Sequence, residues 1–126
     1  MNAPSKTAPE LDSVHATVSD YFQGLYHFDE ARLRKAFDPR ACLFGHLEGV
    51  FIHSTLDQWL DKIGRKPVPA KIGEAFDMHI LSTDISGDAA LVKVSELYRG
   101  LRFTDYLSLL MIDGRWVIVN KTYHHE

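Results

Sequence analysis

DYLSLLMIDGRWVIVNK, residues 105–121, is the stretch that decides the fold of this 126-residue chain. Apolar and polar residues alternate on both sides of Asp113-Gly114, a dipeptide typical of a two-residue hairpin turn. With that turn, Met111 lies opposite Trp116 and Leu109 lies opposite Ile118. The segment therefore predicts an antiparallel hairpin with one strongly apolar face.

The same period of two extends upstream of this hairpin, with further turn signals at Ser86-Gly87-Asp88 and near Gly100. The predicted strands cover residues 72–85, 89–99, 101–112 and 115–124. A shorter hairpin, with strands near 42–44 and 50–52, is expected at the edge of the sheet.

The first half of the chain has helical spacing instead. Apolar residues three and four apart predict a helix over 11–26, and Asp29 is placed to cap a short second helix. A third helix is expected to begin at Ser54, where Asp57 three residues on resembles a capping box. Helices followed by a meander predict an α+β domain: a cone-shaped roll of N-terminal helices packed on a curved antiparallel sheet.

Composition excludes several classes of protein. The chain is 45% apolar and 25% charged, as in ordinary globular proteins, and its net charge of -3 argues against nucleic acid as a partner. No apolar run approaches the roughly 18 residues of a membrane span, so we expect a cytoplasmic protein. Cys42 alone forms no internal disulfide. We expect a flexible tail over 1–9, a single domain over 10–126, no metal and no cofactor.

Continuing the register from the turns predicts a polar cluster at the open end of the cone. Leu107 then lies opposite Asn120 and Phe103 opposite His124, and the preceding hairpin places His79 opposite Glu96. A loop of about four residues around Gly100 adds Tyr98 opposite Phe103 and Glu96 opposite Asp105. The predicted inward residues at this end are His79, Glu96, Tyr98, Phe103, Asp105, Asn120, Thr122 and His124.

The opposite face of the last hairpin is also rather apolar, although a solvated face should alternate more cleanly. This outer face carries Tyr106, Ser108, Leu110, Val117, Val119 and Lys121. We expect a second copy of the chain to cover it, giving a homodimer.

Three ionisable residues are the candidates for catalysis. A carboxylate beside an imidazole, as predicted for Glu96 and His79, orients the ring and raises its basicity, although a plain cross-strand ion pair explains the same two residues. Asp105, among apolar neighbours, is a candidate acid or base, or a carboxylate held by Thr122. The candidate ligand-binding residues are Tyr98, Phe103, Asn120, His124, Trp59 and Tyr21.

Three stretches carry a resemblance to a known family: YFQGLYHFD at 21–29, FDPRA at 37–41 and the hairpin at 105–121. The chain resembles the nuclear transport factor 2-like superfamily, and within it the branch called Putative lumazine-binding. The resemblance implies a cone-shaped fold that is frequently dimeric through the outer sheet face. It also implies relatives as different as ketosteroid isomerase, scytalone dehydratase, polyketide cyclases and non-enzymatic binding proteins.

Two functions therefore stay open at this point. The first is a small-molecule pocket protein, an isomerase, dehydratase or cyclase that needs no cofactor and acts on a flat, mostly apolar substrate. The second is a non-catalytic ligand-binding or dimerisation module whose polar cluster satisfies only itself.

Overall fold

A computed structural model of the chain describes residues 8–126, so most of the expected tail over 1–9 lies outside the described residues. The helices are α1 (Ala8–His27), α2 (Glu30–Ala36) and α3 (Leu56–Gly64). The strands are β1 (Phe37–Leu47), β2 (Val50–Thr55), β3 (Met78–Ser86), β4 (Ala89–Tyr98), β5 (Leu101–Ile112) and β6 (Arg115–His125). None of the described helices is both long and apolar enough to cross a membrane.

The six strands form one curved sheet in the order β2-β1-β6-β5-β4-β3. All neighbours are antiparallel except β1 and β6, which run parallel. The helices cover one face, and the β1–β2 hairpin lies at the edge as expected. The predicted α+β roll is confirmed.

The starts of the short helices follow from local capping. The Asp29 side chain accepts a hydrogen bond from the backbone of Arg32, as predicted for α2. The α3 helix is capped by Thr55, which forms a reciprocal capping box with Gln58. The predicted box at Ser54 is wrong by one residue, because Ser54 is still a buried member of β2.

The core lies between the helices and the concave face of the sheet. Val14, Val18 and Leu25 of α1 are buried there against inward residues of β4, β5 and β6. Two hydrogen bonds fix α1 across the sheet: Thr17 Oγ1 donates to the carbonyl of Trp116 at 2.8 Å, and His15 Nε2 lies 2.9 Å from Thr83 Oγ1.

A β-bulge changes the register of the last hairpin. Leu109 pairs with Ile118 as predicted, but Ser108 pairs with Asn120, so Val119 is an extra residue on β6. Beyond the bulge, Leu107 pairs with Lys121, and the predicted Leu107–Asn120 and Phe103–His124 pairs are wrong. The bulge brings Lys121, Tyr123 and His125 to the concave face and turns Asn120, Thr122 and His124 outward.

A second bulge lies in β3, where Leu81 is the extra residue between the Ile80–Val94 and Ser82–Lys93 pairs. It places Met78 opposite Glu96, so the predicted His79–Glu96 pair is wrong. The predicted strand over 72–85 is also too long, since β3 begins only at Met78.

The turn between β4 and β5 is shorter than expected. Tyr98 pairs with Leu101 across Arg99-Gly100, and Glu96 pairs with Phe103. This differs from the predicted register by two residues. A slip of two preserves the face of every side chain, so Glu96, Tyr98, Phe103 and Asp105 all point inward as expected.

Candidate functional site

A cavity of about 330 Å³ opens between α3, the β1–β2 hairpin and the far ends of β4, β5 and β6. Its apolar wall includes Leu25, Leu43, Ile52, Trp59, Ile63, Leu101 and Phe103. Its polar wall is formed by Ser54, Glu96, Tyr98, Lys121 and Tyr123. Glu48, Lys62, Lys66 and Arg99 border its mouth. A mostly apolar cavity of this size with a few convergent polar groups suits a small organic molecule.

Four polar side chains from distant parts of the chain meet beneath this cavity. Tyr21 Oη lies 2.9 Å from Glu96 Oε1 and 2.5 Å from Asp105 Oδ2. Lys121 Nζ donates to the same phenol oxygen at 2.9 Å and lies 3.7 Å from Asp105 Oδ2. All four residues are buried. Glu96 and Lys121 reach the cavity wall, whereas Tyr21 and Asp105 lie behind it.

Hydrogen-bond counting fixes one proton in this cluster. The phenol of Tyr21 has a single hydrogen and accepts one bond from Lys121, yet it contacts two carboxyl groups. If its hydrogen goes to one carboxylate, the other carboxyl group must donate to the phenol and must itself be protonated. Glu96 and Asp105 therefore hold one proton between them.

The electrostatics place that proton on Glu96. Burial raises the pKa of Glu96 well above its ordinary value, and the adjacent carboxylate of Asp105 raises it further. The amine of Lys121 lies 3.7 Å from Asp105 Oδ2, and its charge offsets only part of the rise in the pKa of Glu96. Burial also raises the pKa of Tyr21, and the adjacent Asp105 raises it further, so the phenol stays neutral.

Two carboxyl oxygens in the cluster have no hydrogen-bond partner among the described residues: Glu96 Oε2 and Asp105 Oδ1. A buried carboxyl oxygen without a partner is costly and is rarely retained in a folded protein. Because Glu96 forms part of the cavity wall, its side chain borders the space that a bound molecule would occupy.

Aromatic rings surround the amine of Lys121. Its Nζ lies 4.6 Å from the ring centre of Trp59, 5.2 Å from that of Tyr21 and 5.3 Å from that of Tyr123. Lys121 was expected on the outer face as part of a dimer interface, and that placement is wrong, because the bulge at Val119 turns it inward.

The other predicted site residues divide into two groups. Trp59, Tyr98 and Phe103 lie on the cavity wall, and burial raises the pKa of Tyr98 to about 12. His79 instead lies on the exposed surface with Nε2 2.6 Å from Asp77 Oδ1, and the predicted inward position is wrong.

Asn120 and His124 are also misplaced by the predicted register. The side-chain amide of Asn120 donates to the carbonyl of Cys42 at 3.3 Å, and His124 is exposed opposite Thr104. In the described part of the chain, no three His, Cys, Asp or Glu side chains are grouped so that they could hold a metal ion.

Lys121 and Tyr123 are the functional candidates that sequence reasoning missed. The bulge that brings them inward occurs at Val119-Asn120. No glycine or other local signal marks that dipeptide as a bulge.

The fold and its pocket define a nuclear transport factor 2-like protein. Within this class, residues 9–124 match the family described as Putative lumazine-binding, and the chain belongs to that family. The resemblance predicted from residues 21–29, 37–41 and 105–121 is thereby confirmed.

Two solved structures illustrate the similarity. An NTF2-like protein of unknown function from Shewanella baltica OS155 is 28% identical, with a TM-score of 0.85 and 98% of each chain covered. A second one, from Silicibacter pomeroyi DSS-3, is 25% identical, with a TM-score of 0.81 and coverage of 97% of this chain and 100% of that one. Among characterised proteins, the chain is similar to the aldolase FrzH of a Cladobotryum species, at 27% identity over 120 residues, covering 94% of this chain and 93% of the relative.

Proposed function

We propose that the cavity is the active site of an enzyme that removes a proton next to a carbonyl group of a flat, mostly apolar substrate, without a cofactor. The single observation that carries this proposal is the contact of the Tyr21 phenol with both Glu96 and Asp105 at the base of an apolar cavity. Such chemistry needs a base, a stabiliser for the developing oxyanion and a dry site.

Glu96 is the acid and base in this proposal because it is the member of the pair on the cavity wall. A concerted shift through the phenol moves the proton from Glu96 to Tyr21 and the phenol proton from Tyr21 to Asp105. Tyr21 is neutral before and after. The shift leaves Glu96 as a carboxylate that can accept a proton from the substrate carbon, and its reversal restores the acid.

Lys121 is the electrostatic partner of the reaction. Removal of a proton next to a carbonyl moves negative charge onto the carbonyl oxygen, and the cation of Lys121 lies on the same wall as Glu96. Because the cavity is largely apolar, a fixed charge there acts more strongly than it would in water. Trp59 and Phe103 supply flat surfaces against which the substrate body packs.

The relationship to FrzH supports this reaction class. An aldol reaction that proceeds through an enolate begins with removal of a proton next to a carbonyl, which is the step proposed for Glu96. The 27% identity to an aldolase extends over nearly the whole chain, so it includes the strands that carry the pocket residues.

Deuterium exchange tests the proposal without knowledge of the substrate. 2-Tetralone, a flat and mostly apolar ketone, is incubated in D₂O, and incorporation at its α-carbons is followed by NMR. We expect the protein to accelerate exchange over buffer and Glu96→Gln to lose about 100-fold or more of that acceleration. Glu48→Gln, at the mouth, is the matched control and should retain it.

Two results would contradict the catalytic role. Equal acceleration by Glu96→Gln and the unmodified protein excludes Glu96 as the base. Binding of 2-tetralone with no acceleration by the unmodified protein favours the alternative, a non-catalytic ligand-binding module.

We also propose that the chain forms a homodimer through the outer sheet face. This is the face predicted from the sequence, except that Lys121 does not belong to it. Leu91, Tyr106 and Leu110 are large apolar side chains exposed on or beside this face. Light scattering should give twice the mass of the 14.3 kDa chain, and Leu91→Lys with Leu110→Lys should give a monomer. A monomeric unmodified protein would exclude this interface.

A further inference from the structure

The mouth of the cavity is bordered by cations from separate parts of the chain. Lys62 lies in the last turn of α3, Lys66 follows that helix, and Arg99 lies in the β4–β5 turn. None of the three has an ion-pair partner among residues 8–126. Their neighbours differ: Arg65 pairs with Asp61 at 3.1 Å, and Arg102 pairs with Asp77 at 2.5 Å.

The charge around the cavity is opposite in sign to that of the chain. Glu48 is the acidic side chain at the mouth, and Glu96 at the base is neutral when it holds the shared proton. Lys121 adds a further cation at the base. The lining therefore carries four cations and one anion, whereas the whole chain has a net charge of -3.

The backbone of Arg99 is held in place by Glu74. The carboxylate of Glu74 accepts hydrogen bonds from the backbone N–H groups of Arg99 and Gly100, both at 2.8 Å. Glu74 therefore holds the turn while the guanidinium is left without an ion pair. A cation presented by an anchored turn loses less freedom when it binds an anion than one on a mobile loop.

We propose that the substrate carries an anionic group, a carboxylate or a phosphate, which binds to Lys62, Lys66 and Arg99 at the mouth of the cavity. This inference rests on the proposed function, since it describes the substrate of the same site. The anion at the mouth orients the molecule so that its apolar body lies against Trp59 and its carbonyl end reaches Glu96 and Lys121. Cations that converge on a cleft with apolar walls also increase the rate at which an anion is captured.

Three probes with the same ring system test this inference: 2-naphthoate, 2-naphthyl phosphate and the neutral 2-naphthamide. Binding is followed by the indole N–H signals of the two tryptophans in NMR spectra. The signal of Trp59, on the cavity wall, should shift, whereas that of Trp116, in the core, should not. We expect at least one of the anions to bind about tenfold more tightly than the amide, as three exposed ion pairs allow. The anion that binds more tightly identifies the anionic group of the substrate as a carboxylate or a phosphate.

Charge variants assign the preference to the mouth. The triple variant Lys62→Gln, Lys66→Gln, Arg99→Gln should bind all three probes with similar affinity. The control variant Lys71→Gln, Lys93→Gln removes two cations that do not line the cavity and should keep the preference. The inference is overturned if neither anion binds more tightly than 2-naphthamide, including the case in which no probe binds, or if the triple variant keeps the preference.

This test is separate from that of catalysis. Glu96→Gln leaves the cations of the mouth unchanged, so it should keep the preference for anions while it loses proton transfer. If Glu96→Gln loses deuterium exchange but still prefers the anionic probes, the proposed anion site stands. If the unmodified protein accelerates deuterium exchange but does not prefer the anionic probes, the anion site is refuted and the catalytic proposal stands.

Discussion

The amine of Lys121 lies 4.6 Å from the ring centre of Trp59, so a cation within β6 is held beneath the helix that covers the cavity. Cations over indole rings are attracted by the electrons of the ring face. Here the same cation is also the neighbour of the Asp105 carboxylate at 3.7 Å. Lys121 therefore links the α3 helix, the carboxyl pair and the cavity wall.

Removal of this cation should destabilise the fold. Lys121→Met leaves Asp105 buried without a compensating charge, and we expect the free energy of unfolding to fall by about 3–5 kcal/mol in urea denaturation at pH 7. Lys93→Met, which removes a cation 5.5 Å from the exposed Tyr106 ring, should cost about 1 kcal/mol or less. The double variant Lys121→Met, Asp105→Asn should cost less than the sum of the two single changes. Additive costs would contradict the pairing of these residues.

The phenol hydroxyl of Tyr21 should matter more than that of an ordinary partly buried tyrosine. Tyr21→Phe removes the bridge between Glu96, Asp105 and Lys121 and leaves buried polar atoms without partners. We expect a loss of about 1–3 kcal/mol in the free energy of unfolding. Tyr26→Phe is the matched control, because its hydroxyl donates to the carbonyl of Glu74 in a partly exposed position. Equal losses of unfolding free energy in the two variants would show that the buried Tyr21 bridge stabilises the fold no more than the partly exposed Tyr26 hydroxyl does.

The raised pKa of Glu96 predicts a dependence of stability on pH. A carboxyl group that holds its proton more tightly in the folded state stabilises that state fully below its unfolded pKa, near 4.5. This contribution is lost as the pH rises from there through the folded pKa. Glu96→Gln resembles the neutral acid and does not titrate. The free energy of unfolding of the unmodified protein should therefore fall relative to that of Glu96→Gln between pH 5 and pH 8. A difference that is constant over this range would place the proton elsewhere.

A larger residue at Gly45 should destabilise the fold while Tyr123 occupies the wall. A Cβ atom at this position would lie 2.5 Å from Cε2 of the Tyr123 ring. We expect Gly45→Ala to cost about 1–3 kcal/mol in the free energy of unfolding, because the ring must move. In a Tyr123→Ala background the same change should cost much less. A similar cost in both backgrounds would indicate a backbone effect instead.

The sequence predicted the architecture because the relevant signals are local. Helical spacing over 11–26, the Asp29 cap and the Asp113-Gly114 turn each act over a few residues, and all three agree with the structure. The placement of Glu96 and Asp105 on one face was also correct, although the assumed turn was two residues too long. An even error in turn length leaves the alternation of side chains unchanged.

The rest of the site depends on two bulges that no local signal marks. The bulge in β6 lies where the strand is held between β5 and the parallel strand β1, and Asn120 donates to the carbonyl of Cys42 across that second contact. An error of one residue moves every following side chain to the opposite face. For that reason His79, Asn120 and His124 were assigned to the pocket and Lys121 to the outside.

Because Val119 is an extra residue in β6, the spacing of residues along this strand determines which side chains line the pocket. The composition of the strand matters equally. The same eleven residues paired without the bulge would turn an amide, a hydroxyl and an imidazole toward the cavity and expose the amine of Lys121 on the convex surface. Redesign of this pocket therefore has two routes. One is substitution of the inward residues; the other is relocation of the irregularity along the strand, which exchanges a whole set of functional groups in one step.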